Sequence, residues 1–310
     1  MSAVRIATRG SDLALWQARF VADRIAACLR CEAQIVSLET SGDRLQGVSL
    51  ARLGGKGLFV KEIEEALLDG RADAAVHSAK DLPAELHPDL VLVAFPERAD
   101  PRDALVASGP DVTLRGLPAG ARVGTGSVRR AAQLRRLRAD LEIVPLRGNV
   151  PTRLRKQREL RLDAVVLACA GLERLGEGAR IAERIDPALL LPAVGQGVLA
   201  LQARRGDPLA ERLRALNHPE TSARIAAERA VAEGLQGDCN APLAALAEFT
   251  GPGVLRLRGE VIAPDGTRDA RAELQCAAAE ARAAGLGLAR TLLERGADAI
   301  LAACRAEAAS

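Results

Sequence analysis

Twice in this chain an apolar, strand-like run gives way to a Gly/Ser/Thr turn that opens an amphipathic helix. Ile6-Ala7 leads into Thr8-Arg9-Gly10-Ser11, and Arg122-Val123 leads into Gly124-Thr125-Gly126-Ser127. A strand ending in a helix-capping Ser, with a further apolar run after the helix, reads as a βα unit of an open sheet. Asp73-Ala74-Ala75-Val76 and Asp163-Ala164-Val165-Val166-Leu167 echo each other in the same way. Two similarly built α/β lobes are therefore expected. Open sheets of this kind take ligands beyond the carboxyl ends of their strands, so the joints are where a site is expected.

Residues 98–103 read as a crossing between the lobes, and Pro192-Ala193-Val194-Gly195-Gln196-Gly197 as a hinge that returns the chain. Lobe 1 then takes residues 1–97 and 196–216, and lobe 2 takes 98–195. In lobe 1, Ser11 is expected to cap a helix that buries Leu13, Leu15, Trp16 and Phe20. A second helix is expected over about 60–69, with Glu62, Glu64 and Glu65 near its positive N-terminal end. The polar, Gly-rich stretch 40–57 is long for a βα connection and reads as a lid. Residues 217–310 read as a small α+β domain: a helix over 219–234, the loop Gly237-Asp238-Cys239-Asn240-Ala241-Pro242, period-two alternation from Val254 to Val261, a turn at Pro264-Asp265-Gly266, and a final helix over about 281–295.

The basic residues gather at the joints. Lys80-Asp81 follows the run ending at Val76, Arg129-Arg130 follows Ser127, and Arg147-Gly148-Asn149 follows Ile143-Val144-Pro145-Leu146. An Arg fork binds a carboxylate through two bonds, and helix N-termini add N–H donors. Phosphate is the usual ligand of such turns, but neither a P-loop nor a Gly-x-Gly-x-x-Gly fingerprint is present; a polyanionic ligand is expected, and carboxylates fit the Arg abundance at least as well. A net charge of +3 and 2% aromatic residues argue against nucleic-acid binding. No apolar run approaches the roughly 20 residues of a membrane span, and the chain starts a strand without a signal-like segment, so a cytoplasmic protein with six reduced cysteines is expected. Cys28-x-x-Cys31 has no second pair to complete a metal site, and no metal is expected.

Each of these features has a plainer reading: a capped helix with a solvated Arg, a surface ion pair at Lys80-Asp81, an inert thiol at Cys239. Against these stands the combination. A carboxylate beside a Lys at a strand end can stabilise a developing cation or move protons, and a cysteine in a Gly-flanked turn can serve as a nucleophile. From the residues alone, an enzyme and a non-catalytic, two-lobed carboxylate-binding or sensor protein both stay open.

Several segments match one family's motifs in order: Thr8-Arg9-Gly10-Ser11 with Leu13 to Gln17, Gly54-Gly55-Lys56-Gly57-Leu58-Phe59, Val76-His77-Ser78-Ala79-Lys80-Asp81-Leu82-Pro83, Val123 to Arg130, Leu146-Arg147-Gly148-Asn149-Val150, and Leu191 to Gly197. End to end, the chain resembles the porphobilinogen deaminase (hydroxymethylbilane synthase) family. The resemblance implies two α/β lobes like type II periplasmic binding proteins, with a third, small α+β domain carrying a dipyrromethane cofactor thioether-linked to Cys239. It implies stepwise deamination and head-to-tail condensation of four porphobilinogen molecules, then hydrolytic release of hydroxymethylbilane, by a cytoplasmic monomer. Asp81 matches the catalytic aspartate. Lys80, Ser127, Arg129 and Arg130 match cofactor-holding positions. Arg9, Ser11, Gln17, Arg147, Arg153 and Arg174 match residues that hold substrate or the growing chain, and Lys56 the lysine of the lid. Every pyrrole brings an acetate and a propionate, which accounts for many Arg sites. The chain departs from the family at Asp238 (usually Gly), Asn240-Ala241, Gln202 (usually Glu) and Gly126 (commonly Ser).

Overall fold

The computed structural model describes residues 3–41, 60–107, 109, 111–236 and 241–309, the last three as backbone only. Lys56, Asp238, Cys239 and the expected lid therefore lie outside the described residues.

The chain opens with β1 (Val4–Arg9), α1 (Asp12–Leu29), β2 (Ala33–Leu38), α2 (Lys61–Leu68), β3 (Ala74–Ser78) and β4 (Leu90–Ala94). It crosses over and continues as β5 (Asp103–Ala107), β6 (Arg122–Thr125), α3 (Val128–Leu137), β7 (Glu142–Pro145), α4 (Val150–Glu159), β8 (Ala164–Ala168), α5 (Cys169–Arg174) and β9 (Glu183–Arg184). It then returns through β10 (Leu199–Arg204) and α6 (Pro208–Leu213). The remainder is α7 (Pro219–Gly234), β11 (Leu243–Gly251), β12 (Val254–Ile262), β13 (Asp269–Ala277), α8 (Ala281–Glu294) and α9 (Ala297–Ala309).

Two five-stranded sheets share one plan. The first runs β2-β1-β3-β10-β4 and the second β7-β6-β8-β5-β9. In each, the first three strands in order are parallel, and the fourth is antiparallel to its neighbours. That fourth strand, β10 or β5, is the one that enters directly from a crossing. The parallel strands are apolar on both faces, as burial between helix layers requires: Ile6, Ala7, Ala74 and Ala75 in one sheet, Val123, Ala164 and Val165 in the other, all without solvent exposure. The two-lobed α/β architecture with a small three-stranded domain is thus the one the resemblance implies. The third sheet is an antiparallel meander, β11-β12-β13, covered by α7, α8 and α9 around Leu255, Leu257, Leu288 and Leu292.

Two expectations need correction. The buried stripe of α1 is Gln17, Ala18, Val21 and Ile25, with Leu13, Leu15, Trp16 and Phe20 only half-buried. Trp16 and Phe20 stack on each other instead, their ring centroids 5.5 Å apart. The helix from Ala281 is not the last: Gly296, at φ +92°, turns the chain into α9.

The crossings meet the third domain at one buried ion pair. Arg98 donates through Nη1 to Glu228 on α7 at 2.5 Å and through Nε to the Gln196 carbonyl at 2.9 Å. Glu228 also accepts from the N–H groups of Gly195 (2.7 Å) and Ala247 (2.9 Å). Both side chains are at most 3% exposed. An ion pair without solvent holds only when its remaining groups are also satisfied, and these backbone N–H groups satisfy the carboxylate. Gly197 sits beside it at φ +85°, where a Cβ would lie 2.5 Å from the Ala99 carbonyl oxygen. Only glycine permits the two crossings to approach this closely.

Candidate active site

The site grows from the strand-end joints. At the end of β1, the Ser11 side chain accepts from the Ala14 N–H and caps α1. One turn on, buried Gln17 donates to Ser78 Oγ at 2.9 Å, which ties α1 to the end of β3. There β3 passes into a single 3₁₀ turn, Ala79–Asp81, held by the Ala79 N–H on the Val198 carbonyl at 3.0 Å. Lys80 and Asp81, both half-buried, project from this turn. Burial pushes the Lys80 ammonium down to about 8; Asp81 and Asp103 oppose that, while Arg130 and Arg153 add to it.

Just before this turn, His77 is buried against Gln202 (Nε2···Oε1 2.9 Å), and Gln202 donates to Glu64 Oε1 at 2.7 Å. Burial lowers the imidazole to about 4. His77 is thus a packing residue at the end of β3. The amide of Gln202 can accept from the ring and donate to Glu64 at once, which a carboxylate could not do.

In lobe 2 the paired cations are already engaged. Asp103, the first residue of β5 and fully buried, lies 2.9 Å from Arg129 Nη1 and 2.7 Å from Arg130 Nη2. The two guanidinium groups hold its carboxyl far below the usual carboxylate range. Arg130 also donates to the Val166 carbonyl (3.1 Å) and Arg129 to the Leu191 carbonyl (2.6 Å). Gln196 Nε2 donates both to Asp103 (2.9 Å) and to the Pro101 carbonyl (2.7 Å), so the network joins both crossings to α3. Ser127 caps α3 through the Arg130 N–H. Gly126 has a local cause: a Cβ there would stand 2.4 Å from the Leu146 carbonyl oxygen, so Ser would force the β6 and β7 ends apart.

Asn149 caps α4, which carries Arg153. Arg153 Nε is buried and has no hydrogen-bond partner among the described residues. Burial lowers Arg153 to about 10, helped by Arg130 and Arg147 and opposed by Asp81. Arg174, at the end of α5, donates to the Gly197 carbonyl at 2.8 Å and lies over the Trp16 ring at 5.7 Å, so it bridges the lobes.

Gln17, Ser78, Lys80, Arg130, Arg153 and Arg174 line one cavity of about 490 Å³, open to solvent, whose other walls are glycine and apolar residues such as Leu13, Val150 and Leu167. Four cations from both lobes face it, and among the described residues no acidic side chain is in its lining. Arg9, Ser11, Asp81, Ser127, Arg129 and Arg147 stand outside that lining; Lys80 is the link to Asp81. Lys80 also borders a second cavity of about 510 Å³, between the Asp81 turn, the Ala193-Val194 hinge and α7. Sequence reasoning missed Asp103, Gln196 and Glu228 as site-building residues. Asp103 sits in what reads as a crossing, and no local pattern links it to Arg129 and Arg130.

A family model described as "Porphobilinogen deaminase, dipyromethane cofactor binding domain" matches residues 4–212, and one described as "Porphobilinogen deaminase, C-terminal domain" matches residues 222–294. A porphobilinogen deaminase of Syntrophomonas wolfei is 45% identical over 307 residues, covering 98% of this chain and all of that one. One of Syntrophotalea carbinolica is 49% identical over 308 residues, covering 97% of this chain and 96% of that one. Among solved structures, the periplasmic VFT2 domain of Bordetella pertussis BvgS is 20% identical with a TM-score of 0.40, covering 69% of this chain and 86% of that domain.

Proposed function

This chain belongs to the porphobilinogen deaminase family, and from that premise we propose which of its residues hold and which transform the substrate. The enzyme is a transferase: it condenses four porphobilinogen molecules head to tail, losing one ammonia at each addition, and releases hydroxymethylbilane by hydrolysis. Its cofactor is dipyrromethane. When bound, that group supplies the pyrrole α-carbon onto which substrate is joined.

The lining of the cavity fits such a group. Apolar walls suit pyrrole rings, four cations suit their carboxylates, and the buried, unpartnered Nε of Arg153 is a donor awaiting an acceptor. We assign Cys239 as the covalent anchor, with Lys80, Ser127, Arg129 and Arg130 as the residues that hold the cofactor. Arg130 has most of its N–H groups on Asp103, Val166 and Gln196, so it meets a ligand as a fixed positive charge rather than a free fork. Arg9, Ser11, Gln17, Lys56, Arg147, Arg153 and Arg174 are assigned to the carboxylates of substrate and product.

Asp81 is assigned the catalysis. As ammonia leaves porphobilinogen, positive charge develops on the substrate, and a carboxylate fixed beforehand on the short Ala79–Asp81 turn stabilises that charge without reorganising. The observation that carries this assignment is the convergence of Lys80, Arg130, Arg153 and Arg174 on one cavity beside the Asp81 turn. We further propose that residues 1–97 with 196–216, 98–195 and 217–310 are the units that shift relative to one another as product lengthens. Cytoplasmic location and a monomeric state are proposed from the family resemblance; among the described residues no helix is long and apolar enough to cross a membrane.

The test is intact-mass analysis of protein made where porphobilinogen is present. An adduct of two pyrrole units is expected on the parent protein and not on Cys239→Ser. A parent mass equal to the bare polypeptide would sink the assignment of the anchor.

A further inference from the structure

Two adjacent residues on α7 reach in opposite directions. Glu228 is locked to the crossings, as described above, and so fixes the helix. Arg229 turns the other way: its Nη2 donates to the carbonyls of Pro83 at 2.9 Å and Ala84 at 3.0 Å. These are the second and third residues after Asp81. Pro83 has no N–H of its own with which to anchor this leg of the turn. Leu82, between Asp81 and Pro83, is buried with Ala79, Val198 and Ile225, and Ile225 lies on α7 one turn before Arg229.

The second cavity opens beside this contact, walled by Leu82, Ala84, Val194, Arg229, Ala232 and Ala241. Past Leu82 the leg runs along the rim of this cavity, and the two hydrogen bonds from Arg229 tie its carbonyls to α7. The same helix ends at Gly234, three residues before the Gly237–Cys239 segment begins. α7 therefore joins the Asp81 turn, through Arg229, to the third domain.

We propose that Arg229 is a positioning residue for the condensation. By clamping the Pro83 and Ala84 carbonyls, it sets where the Asp81 carboxylate stands in the cleft, without touching substrate. The inference rests on Asp81 being the catalytic carboxylate. Misplacing a catalytic group by about 1 Å costs on the order of a hundredfold in rate, and that sets the size of the effect.

The experiment compares Arg229→Met, Arg229→Lys and Asp81→Ala with the parent holoenzyme, measuring kcat, KM for porphobilinogen, cofactor mass and thermal unfolding. Arg229→Met is expected to lower kcat about tenfold to a hundredfold, with KM within about twofold and the two-pyrrole adduct retained. Arg229→Lys keeps N–H donors and a long stem, and is expected to recover most of the loss. An unchanged kcat in Arg229→Met overturns the proposal, as does a change confined to KM. Loss of the adduct also overturns it, by placing Arg229 in cofactor loading. Where the Met variant does not fold, Arg229→Gln gives the same comparison. Near-normal turnover by Asp81→Ala would remove the premise itself, whatever is found at Arg229.

Discussion

The two lobes share a strand order and the same strand–turn–helix joints, yet they handle charge in opposite ways. In lobe 2 the antiparallel strand β5 brings an acid, Asp103, and both neighbouring cations, Arg129 and Arg130, close on it in a buried network. In lobe 1 the equivalent strand β10 brings an amide, Gln202, which meets a neutral His77. The Lys80–Asp81 pair is then left half-buried at the joint, with Arg130 and Arg153 of the other lobe nearby. Lobe 2 is a clamp with its counter-ion built in. Lobe 1 keeps its carboxylate half-buried at the strand end, where we propose that it meets the charge developing on the substrate.

The sharpest way to break that contrast is to remove one acid from each lobe. Asp81→Ala is expected to cut turnover by about a thousandfold or more while the melting temperature barely moves. Asp103→Ala is expected to cost about 3–5 kcal/mol of stability, because two buried guanidinium groups lose their partner. Denaturant unfolding of cofactor-free protein and steady-state assays measure both, and the reverse pattern would exchange the roles of the lobes. Next in size is the acid limb of stability. His77 falls from 6.5 to about 4 on folding, so its contribution is whole above pH 6.5 and lost as pH drops toward 4. The loss amounts to about 3 kcal/mol, and His77→Gln should flatten that limb. Smallest is the capping of the two joints. Ser11→Ala and Ser127→Ala should each cost about 1 kcal/mol, since both hydroxyls accept one N–H at a helix start. A clearly unequal cost would show that the joints differ in structure as well as in chemistry.

Local patterns carried the elements well. α7 runs over the expected residues because Pro219 opens it and His218 caps it, and the meander follows from period-two alternation in β12 and the Gly266 turn. The cationic joints were legible as places, and Lys80, Arg130, Arg153 and Arg174 do converge on one cavity. What the cations hold was not legible. Asp103 lies 26 residues before Arg129, on a different element, and only the antiparallel entry of β5 brings them together. Arg229 gave no signal either, since an Arg on a helix is ordinarily a solvated one. The stripe of α1 was misread because Gln17, a polar residue, takes an inward position to reach Ser78.

The placing of β10 bears on the order in which the molecule can be made. Lobe 2 has all five strands by residue 184, whereas the lobe 1 sheet stays split between β3 and β4 until residues 199–204 arrive. A chain emerging from the ribosome can thus close its second lobe before its first. The segment with Cys239 follows only after both. The strands that line the cleft thus precede, in order of synthesis, the cysteine proposed to tether its occupant.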